Sequence, residues 1–426
     1  MIEKIEQIRN RKRVFLAWLF FIISPLLLYV VSLANFKKKW AKNIVWAFTA
    51  FFGYTIQVPI NYTGDAMRYK NHFENYYALH TTITDLFGSF FSNAGHIEIV
   101  SDFLSVVVAG FTNSYHFQFL VYGIFFGYFF SRNLDYMYHF MSKELRSASI
   151  WITVALSFVI PVWDINGFDF YAAAQVFIFG VLPIINEKSY RRFPFLMLTP
   201  LIHFSFYLII ILTLGFLATR QIKGVMVRGG ILVLYILSFF VFGIHPDEYS
   251  DIASDYLPAF IYDRAVIYLQ AAATPQKTSG GNIVLVFNLV YKAVINVLFL
   301  ITYNLNRSFI EKNDNLNRMF LYCFYLTGIF NILSLIPSVG RFLTITQCLM
   351  WITLFLLLNH DDFTGFGQLG KHIGRIRIFL VIFWAFSIAR YLFPMLGLGS
   401  IVSGPFWVDY FVNSDTVVGN AIDLFQ

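Results

Sequence analysis

Residues 14–34 read VFLAWLFFIISPLLLYVVSLA, a run of consecutive positions without one charged side chain. A hydrocarbon core about 30 Å thick is crossed by about 20 apolar residues in helical form, so the run is long enough to span a bilayer. It exceeds a signal-peptide core, and no small-residue cleavage site follows it, so it reads as a retained helix. Comparable stretches recur at Asn43–Ile60, Ser114–Phe130, Val225–Ile244 and Ile283–Tyr303. Residues are 58% hydrophobic and 13% charged, against roughly 25% charged in soluble domains.

These features predict an all-α, polytopic integral membrane protein with about 10–13 transmembrane or re-entrant helices. It reads as a single transmembrane domain over 1–426 with no soluble domain, because the longest polar stretch, His245–Asn282, is too short and irregular for its own core. Cys323 and Cys348 both fall inside apolar runs and read as buried small hydrophobes. No disulfide framework, metal site or cofactor is implied. The net charge of +7 reads as loop bias in a membrane protein, not as a nucleic-acid footprint.

Lysine and arginine gather in bands at 37–42, 132–146, 188–192, 220–228, 307–318 and 371–377, which hold 19 of the 31 basic residues. The positive-inside rule makes those bands cytoplasmic. The segments 61–96, 163–169, 245–282, 338–341 and 397–426 then face outward. This arrangement requires 83–112 and 194–218 to be re-entrant hairpins or pairs of short helices, and Pro200 supports a break in the second. Lys4, Arg9, Arg11, Lys12 and Arg13 resist the scheme: either the N-terminus is an exception or the first helix does not fully cross.

A polar cluster in so apolar a chain is costly, and its default reading is functional. Asn61–Glu74, NYTGDAMRYKNHFE, is the densest. On the basic-poor side Arg68, Arg264, Arg341 and Arg390 stand out, as does Lys292 near the middle of an apolar run. Guanidinium forks match phosphate oxygens bidentately, although each can equally pair with a carboxylate or snorkel to headgroups. Asp65 and Glu98 rank first among the acidic groups able to take a proton from an attacking hydroxyl, ahead of Asp102, Asp164, Asp169 and the acidic loop 247–263. His203, in LTPLIHFSF, is either a packing residue or faces a polar cavity beside the proline break. Tyr69, Tyr76, Tyr77, Tyr268 and Trp407 lie at expected interfaces, where aromatic rings are enriched regardless of function. No glycine-rich phosphate loop, H-E-x-x-H or G-x-S-x-G occurs, against a nucleotide-driven pump, a zinc protease or a serine hydrolase.

Taken in order, these pieces resemble the EpsG-like and Wzy-like polysaccharide polymerases of bacterial envelopes. FFGYT leads into GDAMRYKNHF, similar to that family's Asp-x-x-x-Tyr element, with Asp65, Arg68 and Tyr69. GHIEIVSDFLSVVVAGFTNSYHFQFL resembles the glutamate-bearing segment, with Glu98. NGFDFYAAAQVFIFG, carrying Asp169, and FPFLMLTPLIHFSF, with His203, look like its central core. YDRAVIYL and SVGRFLTI look like two later arginine elements, with Arg264, Tyr268 and Arg341. The likeness covers roughly residues 43–360. One departure is plain: the family often has an arginine ahead of the small-residue helix after the NG element, and here no basic residue lies between Arg146 and Lys188. Either another arginine takes that contact or the correspondence fails there.

The resemblance implies an enzyme of the bacterial cytoplasmic (inner) membrane, multi-pass, with its active site on the outer side. It would join undecaprenyl-diphosphate-linked oligosaccharide repeat units by metal-independent glycosyl transfer, beside membrane lipids, a chain-length regulator and a flippase. Asp65, Glu98 and His203 would be catalytic. Arg68, Tyr69, Asp169, Arg264, Tyr268, Lys292, Arg341 and Arg390 would bind substrate. Alternatives are another lipid-linked-sugar glycosyltransferase, an O-antigen ligase, or a lipid-oligosaccharide flippase or transporter, the last disfavoured by the lack of an inverted internal repeat.

Overall fold

Pro25 and Pro200 accompany breaks in the apolar runs, and small residues mark where helices touch. The computed structural model describes residues 14–58, 64–92, 98–141, 147–219, 225–240, 282–334, 336 and 339–363. Their regular elements are all helical. Three segments are long and apolar enough to cross a membrane, Ala148–Glu187, Asp314–Leu333 and Val339–Leu358, and shorter apolar helices accompany them. This is the pattern of a multi-pass membrane protein. The described residues fall into two compact units: one formed mainly by residues up to Val176, the other mainly by Phe177–Ile376.

In the first unit the opening run is not one helix. It forms α1 (Val14–Ile23) and α2 (Pro25–Ala34), with Ser24 in a non-helical conformation between them. Pro25 sits at the first position of α2, where its missing N–H costs nothing. Each piece is about 15 Å long at 1.5 Å per residue, half the length of a crossing.

α3 (Lys39–Tyr54) and α7 (Tyr115–His139) form the core pair. Their backbones approach so closely that only glycine fits. A Cβ on Gly123 would lie 2.3 Å from the Thr49 carbonyl oxygen, and one on Gly53 would lie 2.1 Å from the Phe119 carbonyl oxygen. At Gly127 it would collide with the Thr49 side chain. Gly123-x-x-x-Gly127 is thus a small-residue stripe of the kind that lets membrane helices pack without a hydrophobic driving force. Trp46 Nε1–H donates to the Ile124 carbonyl at 2.8 Å across the same seam.

The two ends of this pair differ in chemistry. At one, Lys42 bridges Asp135 at 2.7 Å, and the Arg132 guanidinium lies over the Trp46 and Tyr128 rings. At the other, α4 (Asp65–Ala78), α6 (Val100–Ala109) and a 3₁₀ turn (Val162–Gly167) gather around the start of α7. α8 (Ser147–Ser157) packs on α2, and the first nine residues of α9 (Phe168–Glu187) complete the unit, with Asn133 of α7 donating to the Gln175 side chain at 2.9 Å. The stretch 83–112, expected as a hairpin or two short helices, contains α5 (Ile83–Ser92) and α6.

In the second unit the expected break at Pro200 is present. α10 (Phe193–Ile202) ends at His203, which is extended, and α11 (Phe206–Thr219) starts three residues later. Pro200 cannot donate to the Leu196 carbonyl; the Thr199 hydroxyl does so instead, at 2.8 Å. α12 (Val225–Leu237), α13 (Asn282–Leu305), α14 (Arg307–Lys312), α15 (Asp314–Leu333) and α16 (Phe342–Leu358) follow. α15 packs against α11, α12 and α16. Its Arg318 caps the C-terminal end of α9, donating to the Ile185 and Asn186 carbonyls at 2.7 and 2.8 Å.

Candidate functional site

α4 starts at Asp65 after Gly64, with its carboxylate in the first turn, where free backbone N–H groups favour an anion. Helical spacing then puts Asp65, Arg68, Tyr69, His72 and Tyr76 on one stripe. Ala66 and Phe73 are buried on the packing side, the latter against Val108 and Ala109 of α6. The polar stripe is therefore held in place by an apolar one.

Arg68 is the hub. One guanidinium nitrogen lies 3.1 Å from the Asp169 carboxylate, 3.5 Å from that of Asp65 and 3.3 Å from the Tyr69 hydroxyl. Tyr69 is buried, and its hydroxyl accepts the Asp169 backbone N–H at 3.1 Å, pinning the first turn of α9 to α4. Exposure separates the two carboxylates: the Asp169 side chain is 8% exposed and that of Asp65 46%. Asp169 is therefore the anchor, and Asp65 is open to an incoming molecule. Partial burial works against the Arg68 charge, but Tyr69, Asp169 and Asp65 outweigh it and hold its pKa above the ordinary arginine value. Burial, then Asp169 and Asp65, push the Tyr69 phenol well up, so it acts as a neutral hydrogen-bonding group. The NG turn closes over the cluster: a Cβ on Gly167 would lie 3.1 Å from the Tyr171 ring and 3.7 Å from Asp65 Oδ2.

A buried network sits behind Tyr69. Gln118 Nε2 donates to the Ser105 hydroxyl at 2.7 Å and to the Tyr69 carbonyl at 3.2 Å. Tyr122 shares a hydrogen bond with Ser105 at 2.9 Å and stacks on Phe168, centroids 4.0 Å apart. These contacts fix the turn of α4 that carries Arg68. Sequence reading passed over Gln118, Ser105 and Tyr122, because three polar groups inside apolar runs have no spacing that reveals their mutual contacts. It also passed over His72, whose Nδ1 lies 3.8 Å from the Asp102 carboxylate; the i, i+7 spacing from Asp65 was the available signal.

Four of the expected site residues, Asp65, Arg68, Tyr69 and Asp169, are thus brought together within the first unit. Glu98 lies half-buried just ahead of α6. In the second unit His203 occupies the break between α10 and α11, with the Ser205 hydroxyl 3.4 Å from its Nδ1. Phe206 packs on Phe342, centroids 5.4 Å apart, which sets this break beside the exposed turn ending in Arg341. Lys292 is partly buried in α13. Arg264, Tyr268 and Arg390 lie outside the described residues.

The cluster's charge limits its chemistry. One guanidinium between two carboxylates leaves a deficit of one positive charge, which suits hydroxyl groups as partners and disfavours a diphosphate at Arg68 itself. The chain matches no protein-family model, no curated protein and no solved structure.

Proposed function

We propose that the chain is a bacterial polysaccharide polymerase, transferring a growing chain between lipid-diphosphate-linked repeat units at the outer face of the cytoplasmic membrane. The observation that carries this reading is Asp65: a half-exposed carboxylate held by Arg68, which is itself anchored on the nearly buried Asp169. Such a group is placed to receive a proton from a sugar hydroxyl. The resemblance noted in the sequence supports the same assignment. Arg68 also stands at the head of the small-residue helix α9, where the family pattern led us to look for an arginine.

In this mechanism the terminal hydroxyl of the acceptor unit gives its proton to Asp65 as its oxygen bonds to the anomeric carbon of the donor chain. The bond from that carbon to the diphosphate oxygen breaks, and lipid diphosphate leaves. Preplaced cations stabilise the departing charge, the kind of electrostatic term that usually dominates catalysis. Since Arg68 is engaged by carboxylates, this task falls to arginines outside the cluster. The resemblance gives this task to its two later arginine elements, with Arg341 and Arg264.

The test is reconstitution of the full-length protein in liposomes with lipid-linked repeat units extracted from polymerase-deficient cells. Polymer and free lipid diphosphate should appear together. Asp65→Asn should lower the rate about 10²–10⁴-fold, and Arg341→Ala about 10²–10³-fold. Repeat units that cross the bilayer without joining would replace this reading with a flippase.

A further inference from the structure

The stripe on α4 does not end at Arg68. Two turns beyond Asp65, His72 presents a half-exposed imidazole whose Nδ1 is 3.8 Å from Asp102. Asp102 stands in the first turn of α6 and is mostly covered, its side chain 19% exposed. One further turn along α4, burial and then the neighbouring Asp102 carboxylate push the Tyr76 phenol up, and the Tyr76 ring meets the His72 ring edge-on, centroids 6.3 Å apart. Phe73, between them in sequence, is buried against Val108 and Ala109, so the spacing of α4 from α6 is fixed by packing and the three polar groups are held together by it.

This trio is built to bind. A carboxylate beside a phenol keeps lone pairs for incoming donors, an imidazole both donates and accepts, and flat rings offer a surface to the C–H face of a pyranose. Among the described residues no cation neutralises Asp102 apart from His72 when protonated, so the patch selects hydroxyl donors over anions. Seven residues of helix separate Asp65 from His72, about 10 Å along the axis. That distance is about two sugar rings, which is the span from a terminal hydroxyl at Asp65 to the residue that follows in the same oligosaccharide.

We infer that His72, Asp102 and Tyr76 form a second saccharide subsite, which takes the sugar adjoining the acceptor terminus while that terminus sits at Asp65. The inference rests on the saccharide reading of the Asp65 cluster. It makes the acceptor an oligosaccharide that the protein recognises over more than its last ring, and it makes α4 the ruler along which that recognition is laid out.

The experiment uses the full-length protein in detergent and two probes: the oligosaccharide released by mild acid from the extracted lipid-linked repeat unit, and the monosaccharide that ends it. Binding of each is followed by calorimetry. The native protein should prefer the oligosaccharide, and Asp102→Asn should cut that preference about 10–100-fold, the loss expected when a hydrogen bond to a charged group goes. His72→Ala, at a half-exposed position, gives the same readout if Asp102→Asn does not accumulate. An unchanged preference in whichever variant folds would overturn the subsite and leave the reading of Asp65 intact. If the native protein bound neither sugar, the saccharide reading itself would fall, and the subsite with it.

Discussion

At the scale of single residues the account turns on a buried carboxylate and its partner. Asp169 is nearly out of water, and Arg68 is its ion-pair partner at 3.1 Å. Breaking a buried pair by removing one member leaves an uncompensated charge and is costlier than removing both. Arg68 is half-exposed, so the usual penalty is reduced, and Arg68→Ala should cost about 1–3 kcal/mol. The double change Arg68→Ala, Asp169→Asn should then be more stable than Arg68→Ala alone. Thermal unfolding in detergent measures both; a double variant less stable than the single one would mean that Asp169 does not depend on Arg68. The members of this pair were legible in the sequence as candidates, but their contact was not. They are 101 positions apart, and a polar residue's partner across that distance follows from packing, not from spacing. His72 was missed for a related reason: its meaning comes from Asp102 on another helix.

At the scale of helices the deciding contact is α3 against α7. Gly123→Ala would drive a methyl group into the Thr49 carbonyl, a backbone atom that cannot move aside, and the resulting overpacking should cost about 1–3 kcal/mol. Gly88 in α5 has open space around it, so Gly88→Ala should be neutral or stabilise by up to about 1 kcal/mol through helix propensity alone. Equal effects at the two positions, read as unfolding midpoints, would mean that α3 and α7 do not approach as closely as described. The same scale shows what sequence could and could not convey. The break at Pro200 was readable because proline removes a donor wherever it sits inside a helix. The split at Pro25 was readable in principle by the same rule, yet hydropathy masked it, since twenty-one uncharged residues look continuous. The glycine stripe was silent because Gly123 and Gly127 acquire significance only opposite Thr49 and Gly53. Thr199→Val, which removes the hydroxyl that satisfies Leu196, should cost about 0.5–1.5 kcal/mol.

At the scale of the molecule the first unit separates two kinds of charge. Lys42, Arg132 and Asp135 gather at one end of α3 and α7, and the Asp65 cluster lies at the other. In the orientation we propose from the positive-inside rule, Asp65 lies at the outer surface. Cysteines introduced at Lys38 and Gly64, on either side of α3, should react with an impermeant thiol reagent from opposite faces, Gly64→Cys from outside. Cys323 and Cys348 are buried and give little background. Labelling of both positions from one face would mean that α3 does not cross.

The claim that Asp65 accepts the proton of the glycosyl transfer is tested most directly in living cells carrying Asp65→Asn, by measuring together the length of the surface polymer and the leaflet in which lipid-linked repeat units reside. The account predicts single repeat units in place of polymer, with those units exposed on the outer leaflet. Polymer of normal length, or repeat units held at the inner leaflet, would contradict it.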